Sequence, residues 1–338
     1  MLRIGVVGCG RVFERFHLPA LDRTPSLMLG AACDPDPRRL EWTSRHAPRP
    51  APYASLDDLL DGPDSPQALL ILTPPATHAE LAVRALERGV HVLVEKPMAL
   101  SVSEGRAMVD AARRRGGVLQ VGFTRRFRAP YHRLRERLGT LERSAIRSIQ
   151  FELAFSTAGW NALTAFLGDD SRGGGVFDDV LSHQVDLICW LLGGTPDEVR
   201  ATVSSGGASV STELKFGALV ADCRASHGRY RDRLTVELAD GGVLEATGSR
   251  FRHTGTAFPA LRRRRAMLMD RVALVEDRLL RRPNVSRSSF EHQLRDFERA
   301  VHALPAMGAS GEDGLLVLRT IEACRDSARQ RGDWRPLR

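Results

Sequence analysis

Two places in the chain combine residue types and spacings that could do acid–base chemistry. The first is Lys96, at the end of His91-Val92-Leu93-Val94-Glu95-Lys96-Pro97. Only Lys96 and Lys215 are lysines among the 49 basic residues; all the others are arginine. Arginine stays protonated in proteins, whereas lysine can give up its proton. Lys215 lies in an ordinary strand-like run, Thr212-Glu213-Leu214-Lys215-Phe216, so scarcity alone assigns nothing to either lysine. The second place is Asp179, His183 and Asp186, at i, i+4 and i+7 in an otherwise apolar run. Gly173-Gly174-Gly175 before it and Gly193-Gly194 after it bound a helix about four turns long. At that spacing the three share one face. A carboxylate one turn from an imidazole fixes its tautomer and raises its basicity. The alternative is a solvated polar face on a surface helix. His and Asp four apart also suit a metal, but no third and fourth ligand candidates stand nearby, so no metal is expected.

The elements that must position Lys96 alternate. Apolar runs at 3–7, 27–33, 68–72, 90–94 and 118–123 predict strands, and helical patterns at 78–88 and 103–115 lie between them. This order predicts a doubly wound parallel sheet, with ligands gathering outside the carboxyl ends of its strands. Gly8-Cys9-Gly10 follows the first strand. Gly8 permits a tight turn, Gly10 lets the backbone approach a pyrophosphate, and Arg11 and Val12 open the helix whose amides would face the negative charge. Asp34 stands where an acid would hydrogen-bond an adenosine ribose. It favours NAD over NADP, while Arg38 and Arg39 are near enough to keep NADP open. Phe13 departs from the small residue that normally allows close helix–strand packing. Lys96, at the end of the fourth strand, would project where nicotinamide and substrate meet. Glu95 is either its orienting partner or a solvated loop acid. Pro97 fixes the turn and is a candidate for a cis peptide.

The second half changes character. Runs at 146–155, 198–204, 211–223 and 234–239 look like strands, with a turn at Gly241-Gly242. They predict an α+β domain with a mostly antiparallel sheet. The 338 residues suffice for two domains, divided as 1–123 and 124–338. With 43% hydrophobic and 27% charged residues the composition is globular, and no apolar run is long enough to span a bilayer. Five scattered cysteines without a Cys-x-x-Cys pair predict reduced thiols and a cytoplasmic protein without structural zinc. The net charge of +8 is spread along the chain without a nucleic-acid motif, so nucleic acid is not an expected partner. The densest basic stretch, 262–282, reads as an amphipathic helix packed on its own domain rather than on a membrane.

Together these residues resemble the Gfo/Idh/MocA oxidoreductases. The resemblance rests on Ile4-Gly5-Val6-Val7-Gly8-Cys9-Gly10 with His17, Thr73-Pro74-Pro75 with His78, and Glu95-Lys96-Pro97. It extends through Val121-Gly122-Phe123 with Arg125-Arg126-Phe127, Gly173-Gly174-Gly175 leading to Asp179 and His183, and Gly311-Glu312-Asp313-Gly314. It implies a Rossmann domain followed by an open, mostly antiparallel sheet that often mediates dimers or tetramers. It further implies an NAD(P)-dependent oxidoreductase acting on a sugar, inositol or related polyol. Lys96, Asp179 and His183 are the implied catalytic set. Thr73, Pro74, His78, Glu95 and Arg125 join the glycine turn as cofactor-side residues. Arg125, Trp160 and Arg172 are the further substrate candidates. Leu181 departs from the glycine usual between the aspartate and the histidine. Two other readings stand beside the dehydrogenase: a relative that uses tightly held NAD during glycoside cleavage, and a silent dinucleotide-binding sensor.

Overall fold

The computed structural model describes residues 1–47, 50–155, 175–254 and 285–337. They form two compact units. The first comprises Met1–Thr124 and Ser286–Arg319; the second comprises the described residues from 125 to 285 and those from Thr320 onward.

In the first unit the predicted alternation forms one sheet. Its strands are β1 (Leu2–Val7), β2 (Leu27–Cys33), β3 (Ala51–Tyr53), β4 (Ala68–Ile71), β5 (His91–Val94) and β6 (Leu119–Val121). The interleaved helices are α1 (Leu18–Leu21), α2 (Pro37–His46), α3 (Leu56–Asp61), α4 (His78–Glu87) and α5 (Val102–Arg115). All six strands pair in parallel, in the order β6-β5-β4-β1-β2-β3. The order reverses between β1 and β4, and such switch points open a ligand crevice at the strands' carboxyl ends. The helices begin where local chemistry dictates. Ser101 and Glu104 form a reciprocal capping box on α5, and Gly116, at φ 62°, ends that helix in the left-handed region.

The first unit is closed by chain from both ends, since Ser286–Arg319 returns to it. Helix α8 (Val285–Val301) brings Leu294 and Phe297 into the core formed by Leu2, Ile4, Val6 and Phe13. Burying two such side chains stabilises by about 1.5–3 kcal/mol each. Gln120 donates to Asp296 at 2.8 Å, and a short β14 (Ala309–Ser310) pairs antiparallel with β6. Helix α8 carries its apolar residues on one face and cannot stand without a sheet to cover.

The second unit contains β7 (Ile146–Phe155), β8 (Glu198–Val203), β9 (Ser209–Phe216), β10 (Leu219–His227), β11 (Arg231–Leu238), β12 (Val243–Thr247), β13 (Phe251–Thr254) and β15 (Arg335–Pro336). Their order is β13-β12-β11-β7-β10-β9-β8-β15, antiparallel except for the parallel pair β7 and β10. The run read as a single strand at 211–223 is a hairpin: Gly217, at φ 63°, turns the chain between β9 and β10. Phe216 and Leu219 flank that turn and are buried, so apolar continuity hid it. Besides this sheet the unit holds α6 (Ala129–Leu138), α7 (Ser182–Leu192) and the second half of α9 (Gly311–Arg329). Every residue from Ser182 to Leu191 is buried, which excludes the solvated surface helix as a reading of this segment. The basic stretch at 262–282 lies outside the described residues. Among the described residues, no helix is long and apolar enough to cross a membrane.

Candidate active site

The carboxyl edge of the first unit's sheet gathers its predicted residues. Gly8 follows β1 with φ 94°, and a Cβ there would lie 2.9 Å from backbone atoms of Leu72 and Thr73. Only glycine fits. A Cβ on Gly10 would meet only Arg39 Nη1, at 3.7 Å, so the backbone there is open to close approach by a phosphate. The turn therefore suits a pyrophosphate. Cys9 between the two glycines is fully buried, and burial pushes its thiol up to about 12, so it is an inert core residue. Arg11 and Val12 open the following helix as predicted. Phe13 is fully buried, and the helix begins with a wide π-helical stretch, Phe13–His17.

Asp34, after β2, is 2% exposed. Its Oδ2 accepts from the Cys9 amide and its Oδ1 from the Asp36 amide, both at 2.9 Å. Arg38 is exposed, its backbone amide bonded to Asp36. It is Arg39 that reaches back, with Nη1 3.4 Å from Asp34 Oδ2.

Thr73 and Pro74 follow β4, beside the glycine turn. His78 is buried under them, with Nδ1 2.8 Å from the Pro97 carbonyl and Nε2 2.8 Å from the Thr73 carbonyl. Burial lowers its pKa and outweighs the pull of the two carbonyls toward the charged ring. His78 thus ties the Thr73 loop to the Lys96 turn rather than facing a cofactor. Glu95 is no solvated loop acid: Oε1 lies 2.9 Å from Nε2 of the fully buried His17, and Oε2 accepts the Lys96 amide at 3.2 Å. A Cβ on Gly122 would approach Glu95 Oε2 to 2.9 Å, so that glycine makes room for the carboxylate. The Lys96–Pro97 peptide is cis. The tail motif supports the same turn, since a Cβ on Gly314 would fall 2.6 Å from Met98 Sδ. Along the edge, Asp34, Gly8, Thr73 and Lys96 follow the order β2-β1-β4-β5. Three strand spacings separate Asp34 from Lys96, about 14 Å. Asp34 and Lys96 thus stand on either side of the Gly8 turn along this edge.

The second unit holds the other candidates. Asp179 lies in a second π-helical stretch, Phe177–Leu181, which runs directly into α7. Its Oδ2 is 3.2 Å from Nε2 of His227, the last residue of β10. His183, one turn on, is 7% exposed and packs edge-on against Phe155, with ring centroids 5.6 Å apart. The Arg125 guanidinium lies over the same Phe155 ring at 5.3 Å. Arg125 is buried and paired with Asp232, whose carboxylate also receives Arg128, Tyr131 and Tyr230. Burial alone would push Asp232 up, but Arg125 and Arg128 hold it below the usual carboxylate range. Asp186 does not join Asp179 and His183 in chemistry. It is buried and takes a two-pronged bond from Arg126. Phe155, His227 and Asp232 were missed from sequence. Merging β9 with β10 ended the predicted strand at Cys223, four residues short of His227. Trp160 and Arg172 lie outside the described residues. Among the described residues, no group of three or more His, Cys, Asp and Glu side chains is placed to hold a metal.

Comparison with known proteins agrees with this geometry. Residues 2–123 match the model of an oxidoreductase family with an NAD-binding Rossmann fold, described as GFO_IDH_MocA. Residues 131–244 match the GFO/IDH/MocA C-terminal domain. The chain is 32% identical to the 1-carboxy-3-chloro-3,4-dihydroxycyclo hexa-1,5-diene dehydrogenase of Comamonas testosteroni, over 65% of this chain and 54% of that one. It therefore spans about half the length of that relative. It is 28% identical to the D-glucoside 3-dehydrogenase of Escherichia coli, over 72% of this chain and 68% of the relative. The fold is shared with the WlbA dehydrogenase of Bordetella pertussis, solved with NADH and UDP-GlcNAcA. The TM-score is 0.85 and the identity 21%, over 100% of this chain and 98% of that one. The chain belongs to the Gfo/Idh/MocA family of oxidoreductases.

Proposed function

We propose that the protein is an NAD-dependent dehydrogenase or reductase. It interconverts a secondary alcohol and a ketone on a sugar, inositol or related polyol. The observation that carries this reading is Lys96 on the same strand edge as the Gly8 turn and Asp34. The relatives support it, since one acts on glucosides and a neighbour of the same fold was solved with NADH and a nucleotide sugar.

Oxidising an alcohol removes a hydride from carbon and a proton from oxygen, and NAD, when bound, takes the hydride. His183 is the proposed general base, because imidazole operates near neutral pH. Asp179 orients the base or the substrate. Lys96 donates a hydrogen bond to the reacting oxygen and stabilises its developing negative charge. Gly8, Gly10, Arg11 and Val12 would hold the pyrophosphate. Asp34 and the two arginines after it, Arg38 and Arg39, set the adenosine end. Arg125 braces Phe155 behind His183 rather than serving as a free anion site, because Asp232 already engages it. A homodimer or homotetramer is the proposed assembly. A cytoplasmic location fits the five cysteines, all free and buried.

The test is a panel of sugars, inositols, glucosides and nucleotide sugars, read by NADH formation with NAD and NADP in parallel. The reading predicts stoichiometric NADH release with at least one polyol, and faster turnover with NAD. Turnover without net NADH would point instead to glycoside cleavage. NAD binding with no turnover at all would point to a sensor.

A further inference from the structure

His227, a partner of the Asp179 carboxylate, is held by backbone bonds on both sides. His227 closes β10, its amide donating to the Ala208 carbonyl at 2.9 Å, and the next amide, Gly228, donates to the Phe155 carbonyl at 2.8 Å. His227 is in register with Phe155 on the parallel strand β7, and side chains at such positions stand on the same face. Two adjacent strand ends therefore touch the two chemical residues of one helical segment. Phe155 packs on His183, and His227 bonds Asp179. The side chains of His227 and Asp179 are only 13% and 16% exposed, so the pair is poorly hydrated. A carboxylate accepts but does not donate, so the His227 proton in this bond is on Nε2.

We propose that His227 is a positioning residue for the reaction and acts through Asp179. The inference rests on the dehydrogenase reading. When His183 takes the proton of the alcohol, a cation forms one turn from Asp179. A carboxylate held in place stabilises that cation at no cost of reorganisation. The His227 Nε2–H holds Asp179 Oδ2 and fixes the carboxylate's orientation. Among the described residues, charged and titratable groups near the pair include His183 on the helical segment and Arg125, with its partner Asp232, against Phe155.

The test uses the full chain with NAD, the polyol found active in the panel, and the variants His227→Phe and His227→Gln. Phenylalanine keeps a flat ring without a donor, whereas glutamine keeps an N–H donor without the ring. His227→Phe is expected to lower kcat at least tenfold and to move the acid limb of the kcat/KM profile down by about one pH unit, as loss of a fixed counter-charge requires. His227→Gln should recover most of kcat, and both variants should bind NADH within about twofold of the parent, the readout that certifies folding. A second arm needs no turnover. Ring-nitrogen NMR of the 15N-histidine-labelled chain, taken where His227 is neutral, should find its proton on Nε2, with the tautomer balance altered by Asp179→Ala. Equal damage from Phe and Gln, an unchanged pH profile in His227→Phe, or the proton on Nδ1 would overturn the role of His227 alone. A chain with the Nε2 proton that turns over no polyol would overturn the dehydrogenase reading and the role built on it.

Discussion

Lys96, His78 and Asp232 are single residues whose surroundings decide what a substitution will do. His78 is fully buried, and burial lowers its pKa against the pull of the two carbonyls. Above the ordinary histidine value of about 6.5 the ring is neutral in both folded and unfolded chains. Below it the unfolded chain takes up a proton that the folded chain refuses, so stability falls as pH falls. Thermal unfolding measured between about pH 7 and 5 should therefore drop more steeply for the parent than for His78→Gln; parallel slopes would refute the lowered pKa. Asp232 is a different case. Its side chain and that of Arg125 are 1% and 2% exposed. Removing one partner of a buried pair typically costs about 3–5 kcal/mol. Asp232→Asn should lose that much in denaturant unfolding. Glu41→Gln, which breaks an exposed pair with Arg45 at 61% and 69%, should change it by less than about 1 kcal/mol. Residue types were legible in the sequence wherever chemistry is local. Lys96, Asp34 and the glycines stood out by their order along the chain. His227 and Asp232 did not, because their partners lie 48 and 107 residues away and only pairing across elements reveals them.

Two of the helical segments that carry candidate residues contain π-helical turns, Phe13–His17 after the glycine turn and Phe177–Leu181 around Asp179. Such wide turns recur at functional sites because they re-aim side chains that a regular helix would place elsewhere. The sequence spacing predicted the segment around Asp179 and its length, but it assumed 3.6 residues per turn throughout. The three polar residues that shared a face on paper serve different partners: His227 for Asp179, Phe155 for His183 and Arg126 for Asp186. Strand ends were legible where an apolar run stopped at a polar residue, as at Asp34 and Glu95, and illegible where a glycine turn lay inside an apolar run, as at Gly217. The β5–β6 neighbourhood gives a direct test. Gly122→Ala would push a Cβ to 2.9 Å from Glu95 Oε2 and 3.1 Å from Glu95 Cα. Overpacking of this kind costs about 1–3 kcal/mol, and the melting temperature should fall accordingly. An unchanged melting temperature would show that Glu95 and its bond to His17 are not held as described.

At the scale of the whole molecule, each unit carries its own candidates. The first has the Gly8 turn with Asp34 to one side and Lys96 to the other along the sheet edge. The second offers an aspartate and a histidine braced by two strand ends. The parallel sheet was legible from alternation alone, because each βα unit repeats the same local pattern. The return of α8 and β14 to the first unit was not, because it depends on which sheet an amphipathic helix covers. In the proposed mechanism Lys96 acts through its position and its ability to share a proton, and arginine's charge does not replace either. NADH formation from the active polyol by Lys96→Arg, beside the parent, tests this most directly. A loss of at least about 100-fold is expected, the scale of a displaced proton-sharing group, with NADH binding nearly unchanged. Full turnover by Lys96→Arg would contradict it.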